Sequence, residues 1–225
     1  MDKKHAKIAA IVEKELSGSA HTLDHVVRVY NMCLELAKTE KNIDLDVLKT
    51  AALLHDIARL KEDNDKSGKT NHAILGAAIA SKILNCIGYP KQIIHRVKHC
   101  ILCHRSRDNT EPKTKEAEIL SDADKLDILG AIGIARMFSY VGEYGQRIFS
   151  DVPVRKYMKR NFIGCNIRGR VKDASKHAPN LEYETKVKSI PKRLYTKHAR
   201  KIAKERMKYM DKYFSRMKKE LSGKL

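Results

Sequence analysis

The chain has 225 residues, with 46 Lys and Arg against 27 Asp and Glu, giving a formal net charge of +19. Apolar residues at 42% exclude a disordered or collagen-like chain, and no apolar run approaches the roughly 18 to 20 residues of a membrane span. This length fits one compact domain, or one domain with an appended lobe, able to hold a core without disulfide staples.

Ile8, Ala9, Ile11 and Val12 recur at helical spacing and predict a first helix over 2–16, broken by Ser17-Gly18-Ser19. Ser19 can cap a second helix near 21–39, where Leu23, Val26, Val27, Tyr30, Leu34 and Leu36 keep the period. Asp44 or Asp46 caps a third, which runs through Ala51-Ala52-Leu53-Leu54 and ends near His55. The polar stretch 61–70 reads as a loop. Asn71 caps a fourth helix over 73–87, and Gly88-Tyr89-Pro90 ends it. Pro90 suits the first turn of a fifth helix reaching about His104.

After a loop at 105–113, residues 117–140 read as one long apolar helix, with Gly130, Ala131 and Gly133 allowing close approach. Residues 141–180 read as loops with short helices. From 181 to 221 the charge is dense, but Ile202, Met207, Met210, Phe214 and Met217 keep an amphipathic helical period. The fold class is all-α: a compact helical bundle at 1–150, with a basic, mostly helical extension at 151–225 packed on it. The Met-rich face of that extension serves equally as core cover or as a homodimer contact.

Residues 151–225 hold 23 basic and 7 acidic residues, and the first 150 are nearly balanced. Such a surplus attracts phosphate-bearing partners and says nothing about fold. The opening MDKKHAKIAAIVEKELSG is charged throughout and is not a secretory signal, which predicts a soluble cytoplasmic protein. Cys33, Cys86, Cys100, Cys103 and Cys165 are odd in number and widely spread, as expected of reduced thiols. Cys100-Ile101-Leu102-Cys103-His104 has the C-x-x-C-H spacing of haem attachment, but the chain shows no export route. A zinc site would need a second Cys pair, so the two thiols read as core fillers.

The chemistry concentrates in His25 on the second helix, His55-Asp56 at the end of the third, and Asp124 in Asp122-Ala123-Asp124-Lys125-Leu126. Two imidazoles and two carboxylates suit one divalent transition metal ion: Mn, Fe, Co, Ni or Zn. The apolar run before His55 buries that helix end, so its polar side chains need a strong partner. Any one of the ten histidines, taken alone, reads as a hydrogen-bonded core residue. The order of the set across about 100 residues gives it weight.

That series resembles the HD-domain metal-dependent phosphohydrolase superfamily, in its small stand-alone bacterial and archaeal form. The carrying motifs are H-T-L-D-H-V-V-R-V from His21, A-A-L-L-H-D-I-A-R from Ala51 and S-D-A-D-K-L-D-I-L-G-A-I-G from Ser121. N-H-A-I-L-G from Asn71, His104-Arg105 and the Leu194-Tyr195-Thr196 landmark add to it. The resemblance implies an HD-domain helical bundle with additional C-terminal amphipathic helices, and metal ligands at His25, His55, Asp56 and Asp124. Asp122 then reads as a helix cap, and His21 as a neighbour of the metal or substrate. Some members bind two metals, with His72, His99 and His104 as the candidates here. The subfamily implies one metal, with His72 and His104 as catalytic groups near the substrate, while His95 faces solvent.

The implied reaction is hydrolysis of a nucleotide, or a related phosphate ester or anhydride, by metal-activated water. Arg28, Arg59 and Lys125 are the candidate substrate-binding cations. Glu62 and Asp63 read as solvated loop acids, with a general-base role open to them only from that loop. No Walker-type loop is present. The alternative is a nucleic-acid-binding or regulatory HD protein that uses its basic C-terminal helices. Against it, the tail lacks Trp and interleaved aromatics. A weaker third reading lays the tail on anionic membrane.

Overall fold

The computed structural model describes residues 3–16, 23–105, 110–165 and 171–224. His21 and Ser19 lie outside them. Among the described residues, regular structure is helical, and the one strand-like feature is an isolated antiparallel bridge between Phe162 and Val171. No described helix is long and apolar enough to cross a membrane. The chain forms two compact units, Met1–Asp124 and Lys125–Leu225.

The first unit contains α1 (Lys3–Leu16), α2 (Leu23–Ala37), α3 (Leu45–Leu54), α4 (Arg59–Asp63), α5 (His72–Cys86), α6 (Lys91–His104) and most of α7 (Lys115–Leu126). Its centre is α3, where Val47, Leu48 and Ala51 through Leu54 are fully buried. α3 packs against α1, α2 and α6. Asp44 caps α3 by accepting from the amides of Asp46 and Val47 at 3.1 and 3.2 Å. Arg96 of α6 donates to Asp44 at 2.6 Å and to Glu116 of α7 at 3.0 Å. These bonds fix the start of α3 and so aim its far end, which carries His55 and Asp56.

Asn71 caps α5 through the Ala73 and Ile74 amides, which makes His72 the first helical residue. Ala73, Gly76, Ala77 and Ala80 line the buried side of α5 with small groups, and α5 packs on α6. Close approach of these helices brings the His72 and His104 rings to 5.1 Å between centroids.

Three local expectations change. The stretch read as a loop from 61 begins inside α4, because Arg59 and Glu62 pair across one turn at 3.1 Å. Asp122 is no cap: α7 starts at Lys115, so Asp122 lies two turns inside it and is fully buried. The long helix expected over 117–140 is two helices, α7 and α8 (Gly130–Tyr144). Gly130 adopts φ +75°, a backbone state that L side chains resist, and this ends the helical run. A Cβ on Gly133 would stand 2.2 Å from the carbonyl oxygen of Ile128, so only glycine lets α8 return so tightly on the turn before it.

The second unit continues with α9 (Val154–Asn161), α10 (Pro179–Thr185) and α11 (Lys197–Leu221). Tyr157, Phe162, Ala178 and Leu181 form a small apolar core between α9 and α10. α11 packs on α8 and buries Ala199, Ala203, Met210 and Phe214, so the Met-bearing face covers core within its own unit.

Candidate metal centre

The end of α3 delivers two polar side chains into an apolar environment. His55 is fully buried and Asp56 is 4% exposed. His55 Nδ1 donates to the Ala52 carbonyl at 2.8 Å, so its Nε2 carries a lone pair. That Nε2 faces His25 Nε2 at 3.3 Å and Asp56 Oδ2 at 3.7 Å. His25 Nε2 in turn lies 3.5 Å from Asp56 Oδ2 and 3.5 Å from Asp124 Oδ1. Three of the four expected metal ligands, His25, His55 and Asp56, therefore form one group able to hold a cation, and Asp124 stands beside it through His25.

A second group shares Asp56. Its Oδ1 lies 3.4 Å from His72 Nε2 and 3.5 Å from His104 Nε2, and those two nitrogens face each other at 3.1 Å. His104 Nδ1 donates to the Ile101 carbonyl, and His72 Nδ1 donates to Glu62 Oε2 at 2.5 Å. Both bonds turn an Nε2 towards Asp56. His99, the third candidate, is occupied elsewhere: its Nε2 accepts from the Lys113 amide at 2.9 Å.

The donor set fits a divalent cation. Ligands about 2.1 Å from one ion stand roughly 3.0 Å apart in an octahedron and 3.4 Å apart in a tetrahedron. The separations of 3.3 to 3.5 Å around His25, and of 3.7 Å between His55 and Asp56, fall within or next to that range. Mixed imidazole and carboxylate donors suit a borderline transition ion.

The electrostatics agree. Burial lowers the pKa of His55 and takes His72 to about 4, so both are neutral near pH 7. Burial also opposes ionisation of Asp56, but the surrounding histidines outweigh it and hold its carboxyl well below the usual range. Asp124 is lowered in the same way by His25, His55 and His104. For His104, burial favours the neutral ring, yet the hydrogen bond and charge of Asp56 win and raise its pKa.

Glu62 is the participant that sequence reasoning undervalued. Its side chain is 7% exposed and accepts from Arg105 Nη2 at 2.8 Å and Arg59 Nη1 at 3.1 Å besides His72. The signal was present in its spacing: Glu62 follows Arg59 by three residues, and α4 turns it inward. Asp63 stays 39% exposed and pairs with Arg59 at 3.3 Å. Of the three candidate substrate cations, Arg59 belongs to this network. Arg28 is half-buried on α2. Lys125 belongs to the second unit, where its ammonium lies 5.5 Å from the Tyr195 ring centroid.

Residues 22–129 match the HD domain family. That stretch, just under half of the chain, is matched as an HD domain. The match spans both donor groups, from His25 to Asp124. YpgQ of Bacillus subtilis is 27% identical over 220 residues, covering 96% of this chain and 91% of YpgQ. A crystal structure of YpgQ superposes with a TM-score of 0.73 at 25% identity, over 98% of this chain and 97% of that one. Another, of YpgQ in complex with ADP, gives 0.70 at 24% identity, over 97% and 95%. A predicted HD-superfamily hydrolase from an uncultured Thermotogales bacterium gives 0.62 at 27% identity, over 97% and 92%. The 3'-5' exoribonuclease YhaM of Bacillus velezensis is 29% identical over 161 residues, 65% of this chain but 50% of YhaM. The fold is that of HD-superfamily hydrolases.

Proposed function

We propose that the chain is a metal-dependent phosphohydrolase acting on a nucleotide or a related phosphate ester or anhydride. The observation that carries this reading is the grouping of His25, His55 and Asp56 around one point, with Asp124 Oδ1 beside His25 and the His55 Nε2 lone pair turned inward. A divalent cation held there would acidify a coordinated water and polarise the phosphorus centre. The ADP bound by YpgQ and the exoribonuclease activity in the name of YhaM both support a phosphate-bearing substrate.

The chain's own groups divide the remaining work. Asp56 spans the two donor groups, with Oδ2 towards His25 and His55 and Oδ1 towards His72 and His104. His72 and His104 have pKa values pushed in opposite directions, the arrangement that separates a base from an acid. His104, holding its proton under the influence of Asp56, serves as acid to the leaving oxygen, and neutral His72 serves as its partner. Arg28 and Arg59 supply positive charge for the phosphate.

A second reading rests on one observation. Asp56 Oδ1, His72 Nε2 and His104 Nε2 themselves form a group able to hold a cation. In that case Asp56 bridges two ions, and His72 and His104 are ligands rather than proton carriers.

The test strips the protein with a chelator and reloads it with Mn, Fe, Co, Ni or Zn in turn. Bound metal is counted per chain, and phosphate and pyrophosphate release is followed across a nucleotide panel. One ion per chain with activity lost in Asp56→Ala fits the lead reading, and two ions fit the second. A reloaded protein that hydrolyses no member of the panel, or an equally active Asp56→Ala variant, overturns both.

A further inference from the structure

α11 is clamped along one side and bare along the other. On the clamped side Phe214 stacks on Tyr183 with centroids 4.8 Å apart, and the Tyr183 hydroxyl donates to Asp211 at 2.6 Å. Thr196 caps the helix by accepting from the Ala199 amide at 3.2 Å. On the bare side stand Lys197, Lys201, Lys204, Lys208, Lys212 and Lys219, all exposed. At about 100° per residue these six fall within a sector of roughly 80°, and they extend over about 33 Å of helix. Successive cations stand about 4.5 to 6 Å apart from Lys197 to Lys212, with one longer step of about 10.5 Å to Lys219.

None of the six forms an ion pair with a described residue at salt-bridge distance. The unit supplies such partners elsewhere: Lys186 pairs with Glu182, Lys188 with Glu184 and Arg216 with Glu220. On α11 itself, Glu205 and Asp211 stand at the edges of the stripe, and Asp211 is taken by Tyr183. Lysines four apart repel, each pair by about 0.2 to 0.5 kcal/mol, so the isolated helix gains nothing from this pattern. An external polyanion relieves it.

We infer that this face of α11 binds the phosphodiester backbone of a single-stranded nucleic acid, independently of the metal centre. A membrane fits less well, because interfacial helices insert an apolar face and α11 has already buried its own. A duplex also fits less well: over about 34 Å each strand makes a full turn and winds away from a straight stripe. An extended strand can follow it. Tyr209, 50% exposed, points about 100° round the helix from Lys208 and so lies beside the stripe, not on it.

The test is fluorescence anisotropy with a labelled 20-nucleotide oligo-uridine in EDTA, which silences metal-dependent hydrolysis, between 50 and 200 mM KCl. Six phosphate contacts on a single strand predict a slope of log K against log salt of about −4. Lys204→Glu/Lys208→Glu/Lys212→Glu is expected to lower the slope magnitude by about 2 and to weaken binding at least tenfold at 50 mM. The corresponding glutamine triple should show the same slope change with a smaller loss. Tyr209→Ala, off the stripe on the same helix, should stay within about twofold of the parent. Lys69→Glu/Lys82→Glu/Lys91→Glu makes an equal charge change on exposed positions of the first unit and should stay within about twofold of the parent. Thermal melts confirm that each variant folds. No binding at 50 mM overturns the inference. So does an equal loss in the control triple, or stronger competition by phosphatidylserine vesicles or poly-glutamate at matched charge.

Discussion

Glu62→Gln tests how the site is held. Glu62 keeps its shape in this variant but loses the charge that faces His72 Nδ1 at 2.5 Å, Arg105 at 2.8 Å and Arg59 at 3.1 Å. In the parent, burial works against its ionisation, and His72, Arg105 and Arg59 together overcome it. Breaking a fully buried ion pair costs about 3 to 5 kcal/mol. Arg59 is 26% exposed and keeps Asp63 as a partner, so the expected loss of stability is smaller, about 1 to 3 kcal/mol. The chemical effect should be larger than the structural one. Without a carboxylate on Nδ1, the His72 ring has no fixed tautomer, and Nε2 can carry the hydrogen towards His104. Loss of such an orienting partner typically costs 10- to 100-fold in metal affinity or activity. Hydrolysis by the reloaded protein, metal content and the histidine nitrogen shifts in 15N NMR read these separately. Asp63→Asn, at an exposed carboxylate on the same helix, should change activity by less than about twofold. If Glu62→Gln leaves activity, metal content and the His72 tautomer unchanged, the positioning argument is wrong.

Gly133→Ala should destabilise the protein by at least about 1 to 3 kcal/mol, since the new Cβ meets backbone 2.2 Å away. Gly142→Ala on the same helix, with nothing within 4 Å, should instead stabilise it by about 0.5 to 1 kcal/mol, and paired urea titrations compare the two. The metal-free protein should lose stability as pH falls from about 6.5 to about 4. His55 and His72 resist protonation when folded, His72 down to about 4, whereas the unfolded rings accept protons below about 6.5. His104 acts oppositely: its contribution to stability is fully present below the unfolded value of about 6.5 and is lost as pH rises through its higher folded pKa. Two groups oppose one, so the urea midpoint should fall on acidification, and a rising midpoint would refute the assignment.

Much of this protein is local, and local physics is legible in a sequence. The caps at Asp44 and Asn71 announce their helices because each side chain satisfies amides two and three residues away. The apolar run before His55 marks a buried helix end, and the ordered His and Asp residues mark the superfamily before any coordinate is known. Asp122 and the break at Gly130 are different. One depends on where α7 begins and the other on a backbone turn, and helical periodicity is blind to both. The meeting of His72 with His104 depends on how closely two helices approach, which the small residues of α5 permit but do not announce. Glu62 looked like one more acid in a polar stretch, and only the folding of α4 against its neighbours removes it from water and gives it three partners. On α11 the period alone identified a helix, whereas burial of Met210 and Phe214 decided which side is left for the lysines. A side chain's type and spacing are sequence properties. Its desolvation, and therefore its charge, its tautomer and its partners, is set by elements distant along the chain, and only the tertiary structure brings those together.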